Sequence, residues 1–405
     1  MPKFRLPFKQ HCLRAAAVLS LGFTMACDAV QSVGRARELT PHERYAQGLR
    51  DAGLGATAMG REWLTAADTV LTNTHRITLP FQERGAYDRS QARAVGWAFD
   101  VGDGQKISVT LIADGQRAQI FSDLFVVTTD SVRHFESVAF SVTDSANQST
   151  VQYESSDSVT LVLRIQPELL RGGQYHVSIR SDPAMAFPVE GKGNAAAQSF
   201  WGVDREAGRR SHQGVDIFAP RGTPVLAATD GRIRSIDPNN LGGNVIWQAD
   251  DHRSQSLYYA HLDRHHVTAG MHVNAGDTIG FVGNTGNART TAPHLHFGIY
   301  RRGRGPVDPW PYVRRNVATY APIRADTMRI GTRVLLRTAV ATLRAGPIAR
   351  SDTVGTVSGV DTLHVTGATA SFYRVELGNG VAGYIPSGIA LSKVSTAPAP
   401  VPRDR

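Results

Sequence analysis

His212-Gln-Gly-Val-Asp216, Tyr259-Ala-His261-Leu262 and Pro293-His294-Leu295-His296-Phe297 place four histidines and one aspartate within 85 residues of a 405-residue chain. Two imidazoles and one carboxylate make a donor set for a catalytic zinc, because the fourth tetrahedral position stays open to water. Two further imidazoles beside such a metal suit proton transfer near neutral pH. Hydrolysis by a metal-activated water is the chemistry this collection supports.

The elements that position these side chains can be read from periodicity. In PHLHFGIY the apolar Leu295, Phe297 and Ile299 alternate, which predicts a strand with His294 and His296 on one face, ~7 Å apart. SLYYAHL is also strand-like, and His261 shares a face with Tyr259. Asp216 follows His212 by four residues, but Gly214 and the strand-forming VDIFA predict a bend running into a strand rather than a helix. A straight strand would hold the two side chains too far apart for one ion. His252, His265, His266 and His272 lie in or near polar stretches and read as solvated.

From Ser199 to Val313 the chain resembles the lysostaphin-like (LytM-type) zinc metallopeptidases that cut peptidoglycan peptides. SFWG, HQGVDIFAPRGTPV, DGRI, YYAHL, AGDTIGFVGNTG and PHLHF carry the resemblance, in the family's order. It implies one Zn2+ held by His212, Asp216 and His296, with His261 and His294 acting on the water and the transition state. Ala292 stands where Gly commonly precedes PHLHF, and Gly298 where Glu commonly follows it; neither removes a ligand. A cupin-type site would need a Glu soon after the HxH, and FGIYRRGRGPVD has none. A lipoyl or biotinyl carrier would need a lysine, and none occurs between Lys192 and Lys393. The remaining alternative is a non-catalytic relative that binds cell wall and activates an amidase. Such relatives have typically lost zinc ligands, and all five positions are kept here.

Residues 1–26 have a basic start (Lys3, Arg5, Lys9, Arg14) and an apolar run from Ala15 to Ala26, the pattern of an export signal too short to span a bilayer. Cys27 follows Thr24-Met25-Ala26, so a lipoprotein anchored through Cys27 is expected. Cys12, the only other cysteine, leaves with the signal, and no internal disulfide remains. The expected location is the cell envelope, periplasmic or membrane-anchored, or the exterior. A sequence pI near 9.8 would suit nucleic acid, but the export signal and the lack of a nucleic-acid fold motif favour anionic envelope polymers or phospholipid. The basic excess is C-terminal, with twelve basic against five acidic residues in 313–405. Arg301-Arg302-Gly303-Arg304 reads as a solvated hairpin loop.

The flanks predict a mainly β chain. Thr40-Pro41-His42-Glu43 has the form of a helix start, and helical spacing of apolar residues continues over 40–72, broken near Gly53. Period-two segments over 76–185 predict an antiparallel β-sandwich that loosely resembles the pre-peptidase domains of secreted bacterial enzymes. ATLRAGP, DTVGTVSG, FYRVELGNG and VAGYIP resemble a bacterial Src-homology-3-like barrel over 332–392, which implies binding to peptidoglycan. The Pro-rich stretch 393–405 is expected to be a disordered tail. Between these flanks, residues 199–313 form the expected antiparallel β metallopeptidase domain.

Overall fold

The computed structural model describes residues 38–129, 132–205, 208–336, 338–389 and 391–393. The export segment, Cys27 and residues 394–405 lie outside them. Strands dominate, and almost every pairing is antiparallel.

Two helices open the described chain, α1 (Pro41–Asp51) and α2 (Ala58–Thr72). Thr40 Oγ1 accepts from the Glu43 amide while the Glu43 carboxylate accepts from the Thr40 amide, so two otherwise orphaned donors are satisfied. Trp63 on α2 is fully buried and donates from Nε1 to the Pro167 carbonyl at 2.8 Å, which seats the helices on the following sheet.

That sheet runs His75–Arg76, Val95–Val101, Val159–Pro167, Ile120–Thr129, Arg133–Val142. A second layer contains Gln148–Glu154, Gln105–Asp114, Gly173–Pro183 and Phe81–Tyr87. Ile107, Val109, Leu111 and Ala113 alternate inward and meet Trp97, Phe99, Leu161 and Leu163 from the facing layer, which is how period-two sequences bury one face of each sheet. The second layer does not end at Phe81–Tyr87. Arg84 and Gly85 pair with Ala368 and Gly367, so strands Leu363–Thr369, Phe372–Leu377, Ala382–Pro386, Val340–Arg344 and Thr353–Ser358 continue the same sheet.

The middle of the chain builds a separate sheet in the order Ala197–Ser199, Val215–Phe218, His294–Arg301, Gln255–His265, Asn244–Asp250, Gly231–Ser235, His272–Val273, with Pro224–Leu226 and Thr278–Val282 attached. Its core starts before residue 199, because Met185, Phe187 and Val189 are buried within it. Charged contacts join it to the sandwich. Arg253 pairs with Glu154, Arg301 Nη2 donates to Asp103 Oδ1 at 2.7 Å, and Arg304 Nη1 to Asp157 Oδ1 at 2.8 Å. The Arg301–Arg304 turn is therefore an intramolecular contact as well as a hairpin, and the partners that make it so lie about 150 to 200 residues upstream.

Candidate active site

Strand register brings the site together. Val215–Phe218 runs antiparallel to His294–Arg301 with Asp216 opposite His296, and on the other side Ala260 is opposite His296. Leu295, Phe297 and Ile299 are fully buried in the core, so the alternation turns His294 and His296 to the opposite face. His212 joins them by the bend at Gly214. A Cβ on Gly214 would stand 2.6 Å from both His296 Cε1 and the Phe297 carbonyl oxygen, so any side chain there would displace the ligand strand.

The geometry of the three candidate ligands is close. His212 Nε2 lies 3.0 Å from Asp216 Oδ1 and 3.0 Å from His296 Nδ1, and His296 Nδ1 lies 2.9 Å from Asp216 Oδ1. A tetrahedron with ~2.0 Å bonds has edges of about 3.3 Å, so a few tenths of an ångström of outward relaxation would fit zinc. His212 Nδ1 faces the Phe200 carbonyl at 2.9 Å, which fixes the proton there and leaves Nε2 as a lone-pair donor. Two imidazoles and a carboxylate, all facing one point, are the chemistry zinc takes. Burial alone would raise the Asp216 pKa, but hydrogen bonds and charge from His212 and His296 outweigh it and hold the carboxyl far below the usual range. Burial lowers His296, against Asp216, which raises it.

His261 and His294 stand beside this cluster, their ring centroids 5.0 Å apart, and His261 is 5.9 Å from His296. His261 is held by a bulge, in which Ala260 and His261 together oppose Val245. Its φ is 63°, left-handed for a non-glycine residue, and the amide is tied to the Gly242 carbonyl at 2.7 Å. Such a conformation costs on the order of 1–3 kcal/mol and re-aims the side chain. His261 Nδ1 donates to the Thr285 carbonyl at 2.9 Å and His294 Nδ1 to the Ala292 carbonyl at 2.8 Å. Both rings therefore present an unprotonated Nε2 in the neutral form. Burial, reinforced by the charges of His294 and His296, lowers the His261 pKa to about 4.

All five residues selected from the sequence line one cavity of about 660 Å³, whose wall comes from residues 199–300 alone among those described. Several other residues on that wall have no signature in the sequence. Trp247, Tyr258 and Tyr300 form an aromatic cluster, with Trp247 centroids 4.5 and 5.0 Å from the two tyrosines. Arg205 Nη2 donates to Asp216 Oδ2 at 2.6 Å and to Ser199 Oγ at 2.7 Å. Arg205 lies in an aperiodic stretch, WGVDREAGRR, where only a run of charge is visible. His252 and His272 are exposed and paired with Asp230 and Asp251, whereas His265 Nε2 is buried with no hydrogen-bond partner.

Part of the chain is similar in sequence to known peptidases. The L-Ala--D-Glu endopeptidase of Bacillus subtilis is 35% identical over 140 residues, 32% of this chain and 43% of that protein. The peptidoglycan DD-endopeptidase ShyC of Vibrio cholerae is 39% identical over 103 residues, 24% of this chain and 22% of that protein. Lysostaphin of Staphylococcus simulans is 42% identical over 87 residues, 21% of this chain and 17% of that protein. The chain thus spans less than half the length of these relatives. Among solved structures, the catalytic domain of lysostaphin from Staphylococcus simulans is similar at 34% identity and a TM-score of 0.26, over 28% of this chain and 89% of that one. Residues 210–309 match the model of peptidase family M23, and the chain accordingly carries an M23 peptidase domain of the lysostaphin type.

Proposed function

We propose that this protein is an exported zinc metalloendopeptidase that hydrolyses peptide cross-links of peptidoglycan. The observation that supports it most is the convergence of His212 Nε2, Asp216 Oδ1 and His296 Nδ1 to within 4.8 Å of one another, beside two more histidines in the same cavity. The substrate class is taken from one relative named a peptidoglycan DD-endopeptidase and another named an L-Ala--D-Glu endopeptidase. In this reading His212, Asp216 and His296 hold the metal. Zinc, when bound, acidifies a water and polarises the scissile carbonyl. The chain's own residues do the rest. Through its bare Nε2, His261 or His294 accepts the proton of the attacking water, and the imidazolium so formed steadies the developing negative charge and passes that proton to the leaving amine. The strained backbone at His261 and the carbonyl contacts of both rings preset their orientation, so little reorganisation is needed during reaction.

In the same reading the N-terminal segment directs export to the cell envelope and Cys27 is the membrane anchor. The basic C-terminal strands hold the enzyme on the wall. The amidase-activator alternative draws no support from a site in which all five positions are filled and mutually oriented. The test is to incubate the purified full chain, loaded with zinc, with isolated peptidoglycan. The expected result is solubilisation that stops with a chelator and returns with zinc. Peptidoglycan left intact under all three conditions would exclude the proposal.

A further inference from the structure

We infer that Arg205 is a positioning residue that fixes Asp216 as a one-oxygen metal donor and ties it to His212. The inference rests on the metal reading above and adds to it a residue outside the five.

The two oxygens of Asp216 are divided between different tasks. Oδ1 faces His212 Nε2 and His296 Nδ1, at 3.0 and 2.9 Å. Oδ2 accepts from Arg205 Nη2 at 2.6 Å. The Asp216 side chain is 8% exposed and that of Arg205 31%, so solvent screens this contact only in part. A charge-assisted bond of this length holds the carboxylate plane against rotation and keeps Oδ2 from swinging to the metal side. The same nitrogen donates to Ser199 Oγ at 2.7 Å, and Ser199 Oγ lies 3.3 Å from His212 Nδ1. The next residue, Phe200, supplies the carbonyl that orients His212. One guanidinium on the strand Asp204–Arg205 thus braces two of the three ligands, directly at Asp216 and through Ser199–Phe200 at His212. Groups that orient ligands in this way typically contribute about 10–100-fold to metal affinity.

Arg205 also lines the cavity, so a rival role is to bind a carboxylate of the substrate. The two roles differ in what they change. A positioning residue alters metal affinity and ligand geometry in the absence of substrate, whereas a substrate-binding residue alters only KM.

The experiment compares the full chain with Arg205→Ala and Arg205→Lys. Zinc affinity is measured by competition with a chromogenic chelator, and ligand geometry by the visible absorption of the cobalt-substituted protein, with circular dichroism melting to confirm folding. Arg205→Ala is expected to weaken zinc binding roughly 10–100-fold and to change the cobalt spectrum. Arg205→Lys keeps the charge without the planar fork and recovers only part of the affinity. If the alanine variant does not fold, the lysine variant and Arg205→Gln carry the same comparison. Zinc affinity within twofold of wild type and an unchanged cobalt spectrum, with or without a raised KM, overturns the inference. A wild-type chain that takes up no zinc overturns the metal reading and this inference with it.

Discussion

Arg374 Nε donates to Glu83 Oε1 at 2.9 Å across 291 residues of sequence, with neither side chain more than 8% exposed. Tyr384 donates to the other Glu83 oxygen at 2.7 Å, Trp97 Nε1 to the Tyr384 hydroxyl at 3.1 Å, and Arg374 Nη2 to the Tyr175 hydroxyl at 3.1 Å. Gly367 leaves the room: a Cβ there would lie 2.6 Å from Glu83 Oε1. The C-terminal strands are therefore locked to the sandwich by a satisfied polar network as well as by strand pairing.

Breaking that network at one partner strands a buried charge. Glu83→Ala is expected to lower stability by about 3–5 kcal/mol in chemical denaturation, while Glu83→Leu combined with Arg374→Met recovers most of the loss. Removal of residues 330–405 should destabilise the sandwich for the same reason, rather than detach an independent module. An unshifted denaturation midpoint in Glu83→Ala would contradict this.

Acid should weaken the fold through two buried histidines. Burial lowers the His42 pKa to about 4, helped by the charge of Arg164, and burial lowers His75 to about 3, helped by Arg374. Both rings are neutral when folded, while the unfolded chain takes up protons below pH 6.5, so each contribution is complete above 6.5 and is lost as pH falls towards 4 and 3. His42 alone should cost roughly 2 kcal/mol between pH 7 and pH 5. Urea unfolding at the two pH values measures it, and His42→Gln should flatten the dependence. An equal drop in the variant would assign the acid sensitivity elsewhere.

Local chemistry made much of this site legible. The alternation in PHLHFGIY carries the shared face of His294 and His296, and TPHE carries the cap of α1, because both patterns depend on neighbours in sequence. Nothing in FQERGAY distinguishes Glu83 from any polar strand residue, since the arginine that allows its burial lies in a different strand far along the chain. The continuation of the sandwich sheet through Arg84 and Gly85 was hidden for the same reason. Arg205 is not legible in the sequence, because an aperiodic stretch gives no sign of where its side chains converge.

Metal ligands and proton-transfer residues should separate on metal content. Asp216→Ala and His296→Ala are expected to abolish stoichiometric zinc binding, because each removes one of three donors. His261→Ala and His294→Ala should retain zinc while losing ~10²–10⁴ in rate, the usual worth of a positioned acid or base. Elemental analysis beside rate measurements decides it. One tightly held zinc in Asp216→Ala, or metal lost from His261→Ala, would reverse the assignment of that residue.

Mass spectrometry of cross-linked muropeptide dimers treated with the purified, zinc-loaded full chain tests the proposed activity most directly. Peptide hydrolysis predicts monomers carrying one new amino and one new carboxyl terminus, lost with chelator and restored with zinc. Dimers that stay intact until an amidase is added, with stem peptides then released from glycan, would contradict the enzyme and favour the activator.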